Sequence, residues 1–173
     1  MAVRHLVLGI VTSVCLLAAS AITAISLFLD WLRSDEGTFS LLLHCVDRDI
    51  CFDRQTLCGS VAPNSAACTE LTMGEFTLLL GTISLVFLGI AFMASVLALC
   101  CCRKCFRFVP PAALFVAAGL QVAALLIFER ATHHLVDTAG YEHYGRTGAW
   151  IYGLVGLGLT VCGLILSTVN SFV

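Results

Sequence analysis

The sequence has few charged residues, and it places none of them in its four longest apolar stretches. Only 12% of the 173 residues are charged and 60% are hydrophobic, a ratio far from that of soluble globular proteins. Asp, Glu, Lys and Arg are missing from residues 6–29, 76–102, 109–128 and 149–169. Each stretch reaches the ~20 residues that an α-helix needs to cross a bilayer. The composition therefore excludes a soluble fold and predicts a membrane protein with four transmembrane helices.

Polar connections of unequal length separate these stretches within one domain, residues 1–173. We predict spans at 6–29, 76–102, 109–128 and 148–169, a long first loop (30–75), a short connection (103–108) and a third loop (129–147). The short connection carries three basic residues and no acid, whereas the long loop carries eight acids and three basic residues. Cytoplasmic loops are enriched in Lys and Arg. We therefore expect an integral membrane protein, in the plasma membrane, with both termini in the cytoplasm.

The first apolar stretch has a second interpretation, as a cleavable signal peptide. It follows Arg4 and His5 and contains the small residues Ala19, Ser20 and Ala21. The apolar stretch continues to residue 29, however, well beyond the 7–15 residues of a usual signal-peptide core. We expect it to remain as the first helix. Cleavage would leave three spans with the same outer loops.

The spans lack ionisable groups, which transporters and pores usually carry because such groups are costly in lipid and persist for a function. Gln121 is the one strongly polar side chain at depth. We expect it to form an interhelical hydrogen bond, worth about 0.6 kcal/mol on average, rather than a substrate contact. This absence argues against ion conduction through one subunit, although outer loops of several subunits could still line a pore.

No combination of residues typical of catalysis is present, so we expect no enzyme activity, no cofactor and no nucleic-acid partner. Four histidines lie in the predicted outer loops: His44, His133, His134 and His143. We interpret them as solvated loop residues; a zinc site or an acid-sensing cluster is the alternative. No N-x-[ST] sequence occurs, so N-glycosylation is not expected.

Four cysteines lie in the long loop: Cys45, Cys51, Cys58 and Cys68. An even number of cysteines in a loop facing an oxidising compartment suggests disulfides. Residues 38–46 read as an apolar strand, and residues 50–52 can return antiparallel after the turn-forming residues 47–49. This arrangement favours Cys45–Cys51, with Cys58–Cys68 as the second bridge. Three connectivities are possible, and one bridge with two free thiols is a further alternative.

A second cysteine cluster lies at the end of the second span, beside basic residues: Cys100, Cys101, Cys102 and Cys105. The cytosol is reducing, which disfavours disulfides there. Cysteines next to a membrane span are candidates for S-palmitoylation, and the neighbouring cations would attract anionic lipid. An unmodified thiol cluster is the main alternative. A zinc site would need further ligands, which the short cytoplasmic segments scarcely supply.

The first loop also carries a family resemblance. A tryptophan after the first span is followed by a glycine, an aromatic residue and two nearby cysteines: Trp31, Gly37, Phe39, Cys45 and Cys51. With the four spans, this order resembles the claudin superfamily of tetraspan proteins, which includes claudins, peripheral-myelin and epithelial membrane proteins and stargazin-like calcium-channel gamma subunits. Residues 37–39 are Gly-Thr-Phe, where the family has Gly-Leu-Trp. The second cysteine pair, Cys58 and Cys68, lies outside the core signature of the family. The chain thus resembles a divergent member.

The resemblance implies an all-α four-helix transmembrane bundle with a small disulfide-pinned extracellular β-sheet, completed by a strand from the third loop near residues 141–144. It implies a non-catalytic protein that mediates cell–cell or membrane contact, or membrane-protein assembly, through the first loop. An auxiliary subunit of a channel or receptor is the alternative. Partners would be membrane lipid and other membrane proteins, including a second copy in the same or the opposing membrane. The expected contact residues are Trp31, which also anchors the loop, Phe39, Leu41, Leu42 and Leu43.

Overall fold

The computed structural model describes residues 2–33, 37–41, 43–46, 50–53, 56, 58–59, 66–100, 106–139 and 145–172. Four long helices account for most of them: α1 (Ala2–Phe28), α2 (Ala66–Cys100), α3 (Val109–Ala139) and α4 (Gly148–Phe172). In the part described, each contains one segment long and apolar enough to span a membrane: His5–Phe28, Thr72–Cys100, Val109–Arg130 and Gly148–Phe172. The prediction of four membrane-spanning helices is confirmed.

Two helices extend beyond the predicted spans. The helix α2 begins at Ala66, ten residues before the predicted start at Phe76, and α3 continues to Ala139, beyond the predicted end at Phe128. Hydropathy reports which residues suit lipid, whereas a helix can continue through polar residues once it leaves the bilayer. Residues 66–75 and 129–139, which the sequence assigned to loops, are therefore helical.

Many large apolar side chains lie on the outside of the bundle, whereas several polar side chains are buried within it. Exposed residues include Val14 and Leu17 on α1 and Phe115 on α3, each at least 60% exposed. The buried polar side chains within the helices are hydroxyls and one amide: Thr12, Thr23, Ser26, Thr77, Ser84, Ser95, Gln121, Thr160, Ser167 and Ser171. Water would disfavour such an exterior, but lipid tails solvate it. The distribution supports a membrane-embedded bundle.

Each helix packs against two neighbours, in the cyclic order α1, α2, α3 and α4. The middle of the bundle is filled by leucine and alanine side chains, among them Leu16, Leu88 and Leu114, all fully buried. The helices α1 and α4 approach closely at Gly156, where a Cβ atom would lie 2.6 Å from the Thr23 Oγ1 atom. A larger residue at this position would require Thr23 to shift, and small residues favour such close approach between helices in membranes.

Five short strands pair at one end of the bundle, which we call the sheet end. They are β1 (Leu32–Arg33), β2 (Gly37–Phe39), β3 (Leu43–Val46), β4 (Ile50–Asp53) and β5 (Gly145–Arg146). All pairs are antiparallel, in the spatial order β4-β3-β2-β1-β5. The strand β5 comes from the connection between α3 and α4, so the sheet joins two distant segments of the chain.

The predicted single strand over residues 38–46 is wrong, because the chain turns back within it. The β2–β3 hairpin reverses after Ser40, whose backbone N–H donates to the carbonyl of Leu43 at 2.9 Å. The Leu43 N–H in turn donates to the Ser40 hydroxyl oxygen at 3.0 Å. Serine stabilises turns through such local bonds. The turn directs Leu41 inward, where it is 1% exposed.

Candidate partner-binding surface

The sheet is joined to the helices through Trp31, which is 2% exposed. Its indole N–H donates to the carbonyl of Ser26 at 2.8 Å. That carbonyl lies in the last turn of α1, where backbone acceptors have no partner within the helix. The indole ring contacts Phe128 on α3, with ring centroids 4.5 Å apart. Trp31 therefore links the end of α1 to α3 directly beneath β1.

A small apolar cluster forms around this tryptophan. It contains Leu27, Trp31, Leu41, Phe128 and Ala149, which come from α1, the first loop, α3 and α4. Full burial of a leucine or an aromatic side chain contributes about 1.5–3 kcal/mol. The cluster thus packs the first loop against the ends of the helices and fixes its position.

Thr147 connects β5 to two helices. Its hydroxyl donates to the backbone carbonyl of Asp30, and the same oxygen accepts the backbone N–H of Ala149 at 3.3 Å. The second bond is an N-cap of α4, a position where threonine is favoured. The backbone N–H of Thr147 also donates to the carbonyl of Trp31 at 3.1 Å. One residue thus starts α4 and holds β5 beside the end of α1.

Two disulfides lie at the sheet end. The Cys45–Cys51 bond joins β3 to β4, where the two residues are directly opposite each other in the register. The Cys58–Cys68 bond ties the remainder of the loop to the start of α2. Both pairs are those that the sequence favoured. Each closes a short loop, and closing loops of this length restricts the unfolded chain by about 2–3 kcal/mol.

The predicted contact residues differ in their accessibility. Trp31 and Leu41 are buried against the helices, where they position the loop; that they contact a partner stays a prediction. Leu43 is 41% exposed and remains available for contact. The side chains of Phe39 and Leu42 lie outside the described part of the structure, as do residues 141–144, the predicted fifth strand. The strand observed in that connection is β5, at Gly145–Arg146.

One edge of the sheet is formed by β4. This strand stands at the end of the strand order, and its outer side has no strand partner among the described residues. Unpaired backbone N–H and C=O groups at an edge can pair with another chain. Leu43 lies on the neighbouring strand, β3, where it is paired in register with Asp53 of β4. We use "contact surface" for Leu43 together with the edge of β4.

The other residues that the sequence analysis singled out do not come together as a second functional site in the described structure. Gln121 donates from Nε2 to the Thr23 hydroxyl at 3.2 Å, which confirms its predicted role in an interhelical bond. Cys100 is exposed at the last residue of α2; Cys101, Cys102 and Cys105 lie outside the described residues. The same holds for His143 and for the side chains of His44, His133 and His134. No group of residues that could hold a metal ion occurs in the part described.

Thr147 and the inward role of Leu41 were missed by sequence reasoning. A threonine directly before a long apolar helix is a recognised N-cap signal, so the sequence could have predicted the capping role of Thr147. The second depends on a turn that an apolar stretch does not reveal.

No protein-family model matches the chain, and no curated protein sequence matches it. Its class therefore rests on the structure. The protein is an integral membrane protein with four membrane-spanning helices and disulfide bonds at one end.

Proposed function

We propose that the protein is a non-catalytic, claudin-like membrane protein of the plasma membrane, which binds other membrane proteins through the sheet end. The observation that carries this proposal is the way the loop is held. Trp31 and Leu41 are buried against the helices, and a disulfide spans β3 and β4. A loop held this firmly presents a preformed surface, which lowers the entropy lost on binding.

The distribution of charge supports an extracellular position of this surface. All eleven acidic residues lie in the sequence segments 30–75 and 129–147, together with five basic residues. The four remaining basic residues lie in the sequence segments 1–5 and 103–108, which contain no acid. Because cytoplasmic segments favour Lys and Arg, the opposite end and both termini would face the cytoplasm. The two disulfides fit the oxidising environment outside it.

The chemistry of the contact surface favours a protein partner. Leu43 offers an exposed apolar side chain, and the adjacent edge of β4 offers backbone hydrogen-bonding groups. Strand addition at such an edge combines backbone bonds with side-chain contacts. We propose a second copy of the chain, in the same or an opposing membrane, as the partner. An auxiliary role beside a channel or receptor is the competing function, and the experiment below separates the two.

The test compares two leucine variants of equal exposure. Leu43→Gln alters the contact surface at a residue 41% exposed, and Leu29→Gln alters a residue 40% exposed at the end of α1. Each variant is expressed in non-adherent cells, matched for surface amount, and scored for cell aggregation and for self-association in mild detergent. We expect Leu43→Gln to reduce both, and Leu29→Gln to behave as the unmodified protein.

Two results would change the conclusion. Equal aggregation by both variants would show that Leu43 is not part of the contact. Recovery of a large channel or receptor in stoichiometric amount, without self-association, would replace the adhesion role by the auxiliary one.

A further inference from the structure

A cavity of about 280 Å³ opens at the end of the bundle opposite the sheet. It lies where the first residues of α1, the last turns of α2 and α4, and the segment before α3 meet. Two contacts hold its rim. The His5 Nδ1 atom lies 3.2 Å from the Asn170 Oδ1 atom, which joins α1 to α4. The Ser171 hydroxyl donates to the backbone carbonyl of Arg107 at 2.7 Å, which joins α4 to the segment before α3.

The walls of this cavity combine several kinds of side chain. Thr12, Ser95 and Ser167 are buried and line the cavity with hydroxyl groups, whereas Leu6 and Leu99 supply apolar side chains. Arg107 is exposed and also lines the cavity, and its guanidinium lies 5.6 Å from the ring centroid of Phe108. The cavity therefore combines hydrogen-bonding groups, a cation and apolar side chains in one space.

The positive charge near this cavity has no acidic counterpart in the sequence. Arg107 lies at this end, and the sequence has no Asp or Glu outside residues 30–75 and 129–147. The acid nearest along α3 is Glu129, one membrane span away, or ~30 Å at the rise of an α-helix. Interactions over that distance are screened at physiological salt. The positive charge is available to an anion from outside the chain.

We propose that this cavity binds the headgroup of an anionic phospholipid. The phosphate would accept hydrogen bonds from the Arg107 guanidinium and from the hydroxyl of Ser95, and the apolar side chains of Leu6 and Leu99 would contact the start of the acyl chains. Arginine suits this role because its planar donors match phosphate oxygens in pairs. An interfacial position also lets the acyl chains remain in the bilayer. The inference does not depend on the function proposed for the sheet.

The test measures lipids retained by the full-length protein. The protein is purified in mild detergent, mixed with equal amounts of phosphatidylglycerol and phosphatidylcholine, and analysed by native mass spectrometry after loosely bound lipid is removed. We expect the anionic lipid to be retained preferentially. Arg107→Gln should lower that preference about fivefold, the factor expected for one basic residue near a membrane surface. Arg130→Gln removes an exposed cation at the other end of α3 and should leave the preference unchanged.

A second variant tests the cavity itself. Ala98 lines it, so Ala98→Leu should fill part of the space and reduce retention of the anionic lipid. Ala112→Leu makes the same change on an exposed face of α3 and serves as its control. Each variant is first checked for a single monodisperse peak and for its thermal unfolding without added lipid. Lipid retention is then compared among the variants whose unfolding is unaltered. If Ala98→Leu does not fold, Arg107→Gln alone decides the proposal.

Three outcomes would overturn the proposal. The first is equal retention of the two lipids by the unmodified protein. The second is an unchanged preference in Arg107→Gln. The third is stabilisation of the protein by millimolar inorganic phosphate without any by phosphatidylglycerol, which would identify a free anion as the ligand.

Discussion

Replacing Trp31 with alanine should release the sheet from the helices while the four spans stay folded. The indole is 2% exposed and contacts Phe128, so its removal leaves a cavity in the cluster beneath β1. Removal of a buried aromatic side chain costs about 3–5 kcal/mol. The core in the middle of the bundle, around Leu88, has no buried residue in common with this cluster, and the partly buried Leu85 packs against both. The largest loss should therefore occur at the sheet end.

Trp31→Phe separates packing from hydrogen bonding. Phenylalanine keeps most of the contact with Phe128 but cannot donate to the carbonyl of Ser26. Leaving a buried acceptor without its partner costs about 1–3 kcal/mol. We expect a loss in this range for Trp31→Phe and a larger loss for Trp31→Ala.

Two measurements test these expectations. Reversible unfolding in mixed micelles of mild detergent and sodium dodecyl sulfate reports the free energy of unfolding. Hydrogen exchange with mass spectrometry reports where the structure opens, since exchange follows local stability. Peptides covering β2 and β3 should exchange faster in Trp31→Ala, while the peptide containing Leu88 should not change. Phe115→Ala removes an aromatic side chain that is 69% exposed and serves as the control.

A loss of stability in Trp31→Ala no larger than that in Phe115→Ala would contradict the role given to Trp31. Equal acceleration of exchange in the strands and at Leu88 would show that the sheet is not a separately stabilised unit.

Three further changes test other contacts. Gly156→Ala places a Cβ atom 2.6 Å from the Thr23 Oγ1 atom; separating α1 from α4 should cost about 1–3 kcal/mol in the same unfolding assay. Cys45→Ser removes the bridge between β3 and β4; we expect a loss of about 2–3 kcal/mol and retention in early secretory compartments, measured by surface biotinylation. Thr147→Val removes the N-cap of α4 and the bond to the Asp30 carbonyl; the cap alone is worth about 1 kcal/mol, measured by unfolding.

Each change has a control in the same chain. Gly158→Ala adds a Cβ atom with no neighbour within 4 Å, so a similar loss in both glycine variants would contradict the close-approach argument. Cys162→Ser changes an exposed cysteine outside the disulfides, and normal surface delivery of Cys45→Ser would show that its bridge is dispensable. Thr82→Val removes an exposed hydroxyl bonded within α2, and it should cost less than Thr147→Val.

The apolar stretches predicted the spans well because lipid contact is a property of each segment by itself. The ends of the helices were harder to predict. Residues 66–75 are helical although they include Glu70 and Glu75, because a helix does not have to end where the bilayer does. Hydropathy therefore located the membrane more closely than it located the helices.

The first loop shows where sequence patterns become insufficient. The spacing of Cys45 and Cys51 around three turn-forming residues led to the pairing that the structure contains. The turn after Ser40 was missed, since three consecutive leucines carry no alternation that would mark a reversal. The burial of Leu41 depends on Phe128 and Ala149, which lie far along the chain. No local pattern contains that information.

The sequence by itself determined which segments lipid can solvate and how charge divides between them, and it favoured one pairing of the loop cysteines among several. These properties depend on composition and short spacings. Only the tertiary structure decided that Trp31 is buried on Phe128, that Thr147 joins β5 to the end of α1, and that a cavity opens beside Arg107. Such contacts join residues brought together by the packing of whole helices, so they exist only once the bundle has formed.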